Sequence, residues 1–119
     1  MEKNTLKCLI MATLLEAQPF IEGLSLTKQT EERIPVYRND DYILAISGIG
    51  KTNSAIACAY SCLKFSPSCI VNLGAAGATG STLSLGMNFH IVRAIEYDRP
   101  RFKSKKAHIH TPDFFEGFS

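Results

Sequence analysis

A chain of 119 residues fits one domain around one modest core, and its hydrophobic share of 45% is ordinary for a soluble globular protein. A net charge of +2 is too small to call for a nucleic-acid or membrane partner by itself. The longest mostly apolar run, LKCLIMATLL at 6–15, is far below the roughly 20 residues of a membrane span, and Lys7 and Glu16 with no clean cleavage pattern argue against a secretory signal.

LKCLIMA (6–12) reads as a buried strand. Leu14 to Gly23 reads as a short helix, with Thr13 placed to cap it, Gly23 to end it, and Pro19 early enough to be tolerated. Residues 27–33 are polar and read as a loop. IPVYR (34–38) and YILAIS (42–47) flank Asn39-Asp40-Asp41 and predict a hairpin. From Asn53 to Phe65, apolar or small residues at 55, 56, 59, 62 and 63 form a helical stripe. SCIVNLG (68–74) is a further buried strand, and NFHIVRAIEY (88–97) alternates in part and is a long strand candidate. No internal repeat or low-complexity linker is visible.

The four cysteines, Cys8, Cys58, Cys62 and Cys69, include no CxxC pair and lie far in sequence from the histidines. They read as small buried hydrophobes in a reducing cytoplasm rather than as a zinc site, and no metal is expected. His108 and His110 would share a strand face, but a surface loop pair is the plainer reading. RPRFKSKKAHIH (99–110) carries five basic residues and no acid; it reads as a solvated loop ahead of a nucleic-acid patch.

Two glycine clusters carry the functional question. SGIGKT (47–52) resembles a phosphate loop only in part. The G-x-x-x-x-G-K-[ST] pattern requires a glycine five residues before Gly50, where Ala45 lies inside the strand. The dinucleotide fingerprint fails as well, because Asn53 stands where its third glycine belongs. Two glycines at a strand-to-helix turn imply instead a sharp bend and a close approach. NLGAAGATG (72–80) is a second strand end with a bare backbone surface of the kind a ligand can lie against. In open α/β sheets, ligands bind at the carboxyl ends of strands.

Together, MATLLEA (11–17), SGIGKTNSA (47–55), NLGAAGAT (72–79), Leu85-Gly86 and EYD (96–98) resemble the N-terminal half of the purine nucleoside phosphorylase and nucleosidase superfamily, in particular the methylthioadenosine/S-adenosylhomocysteine nucleosidases and the futalosine hydrolases. The resemblance implies an α/β fold with a mixed sheet and flanking helices, residues 1–119 forming the N-terminal part of one nucleosidase-like domain. It implies hydrolysis of the bond between ribose and a purine-type base, with Glu16 as the carboxylate that positions and activates water. An oxocarbenium-like centre needs a nearby anion and a deprotonated water, and one carboxylate can serve both. Read alone, Glu16 is equally a solvated first-turn residue at the positive end of a helix.

The resemblance also points to Thr13 and Ile49 as pocket-lining residues, and to Ala75, Ala76 and Gly77 as the turn beside base and sugar, although many relatives carry serine at the position of Ala75. Lys51 and Thr52 would then start a packing helix. Phosphorylases of the superfamily carry arginines after the first strand and before the second glycine cluster, where this chain reads ATLLEAQ and VNLGAAG with Asn72. Water is therefore the expected nucleophile and phosphorolysis the alternative. The family's ribose-binding glutamate and its acid aspartate find no match in 100–119, and Asp113 and Glu116 are not recruited on charge alone. A second alternative is thus a non-catalytic, nucleoside-binding module, and a third a nucleic-acid binder using the basic tail. The expected partners are a small-molecule nucleoside and either a second copy in a homodimer or the C-terminal half. No cofactor is expected.

Overall fold

KCLIM, with four of its five residues buried, is the strand β1 (Lys7–Met11), around which the sheet is organised. The structure, a computed structural model, describes residues 5–80 and 82–96. After β1 come α1 (Leu14–Gly23), β2 (Thr27–Lys28), β3 (Val36–Arg38), β4 (Tyr42–Ile46), α2 (Lys51–Phe65) and β5 (Cys69–Asn72). The strands lie in the order β2-β3-β4-β1-β5. β1 runs parallel to β4 and to β5, while β2, β3 and β4 pair antiparallel. This is the expected mixed α/β sheet.

The alternation of β1 divides the core into two layers. Cys8 and Ile10 point to one face with Val36, Ile43 and Ala45, where Ala57 of α2 covers them. Leu9 and Met11 point to the other with Leu44, where Ala17 and Ile21 of α1 and Leu26 close the cluster. Burial pushes the Cys8 thiol up to about 11, so it stays neutral, in keeping with a packing role. Of the four cysteines expected to be buried, Cys8 alone is; Cys58 and Cys69 are half-buried and Cys62 is exposed on α2, and all four are free thiols.

Several expectations shift on the structure. α1 matches 14–23, but Gly23 is its last helical residue and not a left-handed stop; the positive φ of 55° falls on Ser25, after Leu24 donates to the Phe20 carbonyl at 2.9 Å. Pro19 stands within the helix and removes the N–H that would reach the carbonyl of Leu15, a residue 88% exposed, so that water can replace the lost bond. The expected loop at 27–33 contains β2, a two-residue edge strand held by its register with β3 (Thr27 opposite Arg38, Lys28 opposite Tyr37). Polarity there reflects an exposed edge, which sequence alone does not separate from a loop. Beyond β2, Lys64 and Tyr60 of α2 both donate to Glu32, Lys64 at 2.6 Å, and hold its carboxyl below the usual range.

α2 begins at Lys51, as the resemblance implied and two residues before the Asn53 start of the apolar pattern, and it turns the expected stripe outward. The residues it buries are Ala57 and Ser61, whereas Ala55, Ile56, Ala59, Cys62 and Leu63 are exposed. Small side chains on the inner face let the helix lie close to the sheet, and Ile56 and Leu63 are left on the outer face with Ala55 and Ala59.

The chain divides after Gly77 into two units, and all of these elements lie in the first. In the second, the Met87 N–H donates to the Ser84 carbonyl at 3.4 Å in a turn where Gly86 has φ +81°. Residues 88–96, expected as a strand, form no regular element. Alternation makes a strand only where a neighbour takes up its backbone groups. The basic run at 99–110, with His108 and His110, lies outside the described residues. Among the described residues no helix is long and apolar enough to cross a membrane.

The hairpin between β3 and β4 is closed by Asn39. Its Oδ1 accepts from the Asp41 and Tyr42 N–H groups, each at 2.8 Å, and its Nδ2 donates to the Leu24 carbonyl at 2.9 Å. Asn39→Ala removes all three bonds and is expected to cost about 1–3 kcal/mol, while Asn39→Asp keeps the two turn bonds and costs less. Urea denaturation checks this as a lowered midpoint at unchanged slope.

Candidate active site

Because β4 and β5 both run parallel to β1, the three strands end on one edge of the sheet. The ladder continues slightly beyond them: the Ser47 and Gly48 N–H groups donate to Met11 and Ala12 at 2.8 and 3.0 Å, and the Leu73 N–H to Ile10 at 3.1 Å. The segments after the strands therefore leave the sheet side by side. Thr13 and Glu16 come from the first, Ile49 from the second, and Ala75, Ala76 and Gly77 from the third.

The second segment is shaped by its glycines. Gly48 and Gly50 have φ of +84° and +104°, a region that other residues rarely adopt, and a Cβ at Gly48 would come within 3.3 Å of Asn53 Nδ2. That same Nδ2 donates to the Ile49 carbonyl at 2.8 Å, pinning the loop to the first turn of α2. Ile49 is left 77% exposed, an apolar side chain presented at the edge of the sheet.

Glu16 is the best-defined group of the site. Thr13-Leu14-Leu15-Glu16 has the spacing of a capping box, in which Thr caps the helix and Glu reaches back to the backbone N–H of the cap residue. Half of that arrangement is present: the Glu16 N–H donates to Thr13 Oγ1 at 3.2 Å. The carboxylate goes elsewhere. Oε1 accepts from the Thr13 hydroxyl at 2.9 Å, and Oε2 from the Ala75 N–H at 2.8 Å. The side chain thus bridges the ends of β1 and β5. The Ala75 N–H first, and then the Thr13 hydroxyl, hold its carboxyl below the usual glutamate range.

Thr13, Glu16 and Ala75 are thereby in direct contact. Ile49 shares the edge without a hydrogen bond to them, and Ala76 and Gly77 are exposed beyond Ala75. Glu16 is the sole charge in residues 11–16, 46–50 and 72–77. Asn72 donates to Ser54 Oγ of α2 at 3.4 Å. Gly74 was not legible as part of the site: a Cβ there would lie 3.3 Å from Glu16 Oε2, a contact that no sequence pattern announces. Among the described residues, no group of three or more His, Cys, Asp and Glu could hold a metal ion.

No protein-family model matches the chain. The 5'-methylthioadenosine/S-adenosylhomocysteine nucleosidase of Staphylococcus carnosus is 44% identical over 48 residues, 40% of this chain and 21% of that protein. The nucleosidase of the same name from Oceanobacillus iheyensis is 48% identical over 44 residues, 37% of this chain and 19% of that protein. Among solved structures, the crystal structure of 5'-methylthioadenosine/S-adenosylhomocysteine nucleosidase from Neisseria meningitidis in complex with methylthio-immucillin-A matches with a TM-score of 0.60 and 29% identity. The match covers 67% of this chain and 37% of that one. The chain is similar to the N-terminal part of the methylthioadenosine/S-adenosylhomocysteine nucleosidases. It has their nucleoside phosphorylase-like fold and spans about a fifth of the length of the curated relatives it matches.

The Ala75 and Thr13 hydrogen bonds favour the ionised form of the Glu16 carboxyl. A carboxyl whose pKa is lowered by folding adds stability above the ordinary glutamate value, and that contribution is lost as pH falls through the lowered value. Thr13→Val removes one of the two donors and should move the Glu16 titration upward toward an ordinary glutamate. The carboxyl carbon shift followed by NMR against pH reads this directly, and an unmoved titration would remove Thr13 from the arrangement.

Proposed function

We propose that this chain carries the N-terminal part of a nucleosidase site that hydrolyses the N-glycosidic bond of a purine-type nucleoside, with Glu16 holding and activating the water. The observation that supports this most is the bridge made by Glu16, which fixes one carboxylate at the carboxyl ends of two adjacent parallel strands. The names of the similar nucleosidases support methylthioadenosine or adenosylhomocysteine as substrate, with futalosine the third member of the class.

In such a reaction the bond between C1′ of the ribose and the base nitrogen breaks, and its electron pair leaves with the base. The water oxygen bonds to C1′, one of its protons passes toward Glu16, and the other remains as the new hydroxyl. A carboxylate held below its usual pKa is a weak acceptor of that proton but a durable negative charge. Its largest contribution is then to orient the water and to face the positive charge that develops on the sugar. The acid that protonates the leaving base, and the carboxylate that binds the ribose hydroxyls, would be supplied from beyond residues 1–119 on this reading.

The absence of arginine from 11–17, 46–52 and 72–77, with Lys51 the one cation in these segments, favours water over phosphate, since a phosphate nucleophile needs several fixed donors beside it. The outward stripe of α2, with Ile56 56% and Leu63 86% exposed, suits a second copy of the chain, and the intact protein is read as a homodimer.

Two outcomes are expected in the intact protein. Glu16→Gln keeps size and reach but loses the charge; turnover should fall by about 10²-fold or more while nucleoside affinity changes little. Steady-state adenine release beside calorimetric binding of a substrate analogue separates the two, and normal turnover would exclude Glu16 from the mechanism. Added phosphate should neither speed cleavage nor yield ribose 1-phosphate; detection of that product would establish phosphorolysis.

A further inference from the structure

Gly74 has no conformational need to be glycine. Its φ lies outside the left-handed region, unlike those of Gly48, Gly50 and Gly86. It is an exposed residue just past β5, and the Leu73 N–H before it is anchored to the Ile10 carbonyl at 3.1 Å. Among the described residues, its two chain neighbours aside, one atom lies within 4 Å of a Cβ built on Gly74, and that is Glu16 Oε2, at 3.3 Å. That oxygen is the one that accepts the Ala75 N–H at 2.8 Å. The other oxygen is tethered to the Thr13 hydroxyl at 2.9 Å, so the carboxylate has little freedom to move aside and keep both bonds.

We infer that Gly74 is a positioning residue for Glu16: the space left by its missing side chain is where the carboxylate crosses from α1 to reach the Ala75 N–H. The inference deepens the nucleosidase reading, since it concerns the same site, but its first readout does not depend on that reading. Adjacent parallel strands lie about 4.8 Å apart, so a side chain in the first turn after β1 can touch the residues just after β5 only if nothing stands between. A methyl group at 74 would stand 3.3 Å from Oε2, tighter than an ordinary van der Waals contact, so that one of the two must yield. The charged end of the glutamate is the flexible partner, and it is the carboxylate rather than the backbone that gives way.

Gly74→Ala separates this from a merely structural role. The backbone at 74 accepts alanine, and replacing glycine where the conformation is compatible commonly stabilises a fold slightly. The variant should therefore denature at the same urea midpoint as the parent chain or a higher one. In NMR titrations, the Ala75 amide proton of the parent chain should follow the ionisation of Glu16. In Gly74→Ala that response should fall by at least half, with the Glu16 carboxyl titrating nearer an ordinary glutamate. In the intact protein, kcat should drop about tenfold to a hundredfold with KM nearly unchanged, the scale of a displaced catalytic group. A well-folded Gly74→Ala chain in which Glu16 and Ala75 titrate as in the parent overturns the inference. Should Gly74→Ala fail to fold, Gly74→Ala combined with Glu16→Ala decides: recovery of the fold supports the inference, and continued failure overturns it by showing a backbone need for glycine. A shifted titration with unchanged hydrolysis leaves Gly74 as the positioner of Glu16 and refutes the catalytic role of Glu16 instead.

Discussion

The parallel pairing of β1 with both β4 and β5 is the constraint on which the site depends. Parallel neighbours cannot be joined by a tight turn, so the chain must cross over between them. It does so with α1 and the β2–β3 hairpin on the way to β4, and with α2 on the way to β5. Each crossover begins at the same edge of the sheet. Three segments separated by tens of residues are thereby set side by side, and the buried central strand keeps them there. Cys8 and Ile10 hold one helix layer and Leu9 and Met11 the other, so the edge is fixed from both faces.

Within that frame, one side chain departs from what its local sequence would have it do. Glu16 stands at the third position of a capping box, where closing the loop on its own helix end would be the local choice. It instead takes a hydroxyl from Thr13 and an amide from Ala75. A local rule set aside in favour of a contact across the sheet is a feature expected at functional positions. The same bonds that fix the carboxylate lower its basicity, so geometry and proton affinity are traded against each other at one residue.

Much of the architecture was legible because hydrophobic period and turn chemistry agreed. LKCLIMA, YILAIS and SCIVNLG are apolar runs of strand length, and Thr13 and Asn39 make the bonds that their residue types favour. Where the reading failed, the reason is also physical. The face of α2 differs from the expectation because a count of apolar residues does not show that the helix meets the sheet through Ala57 and Ser61. β2 and residues 88–96 show the converse: pairing, not local pattern, decides whether a segment becomes a strand. The grouping of Thr13, Ile49 and Ala75 followed from a family resemblance; the part played by Gly74 depends on a distance, which composition does not encode.

The two margins of the sheet are unequal. On one side β2 offers two exposed residues, a threonine and a lysine, too short and too polar to recruit another strand. On the other, β5 offers Cys-Ile-Val-Asn, mostly half-buried, with one neighbour in the five-stranded order. Among the described residues no strand lies beyond β5, so additional strands of the same polypeptide or of a second molecule would compete for the one row of amides and carbonyls beside Cys69–Asn72.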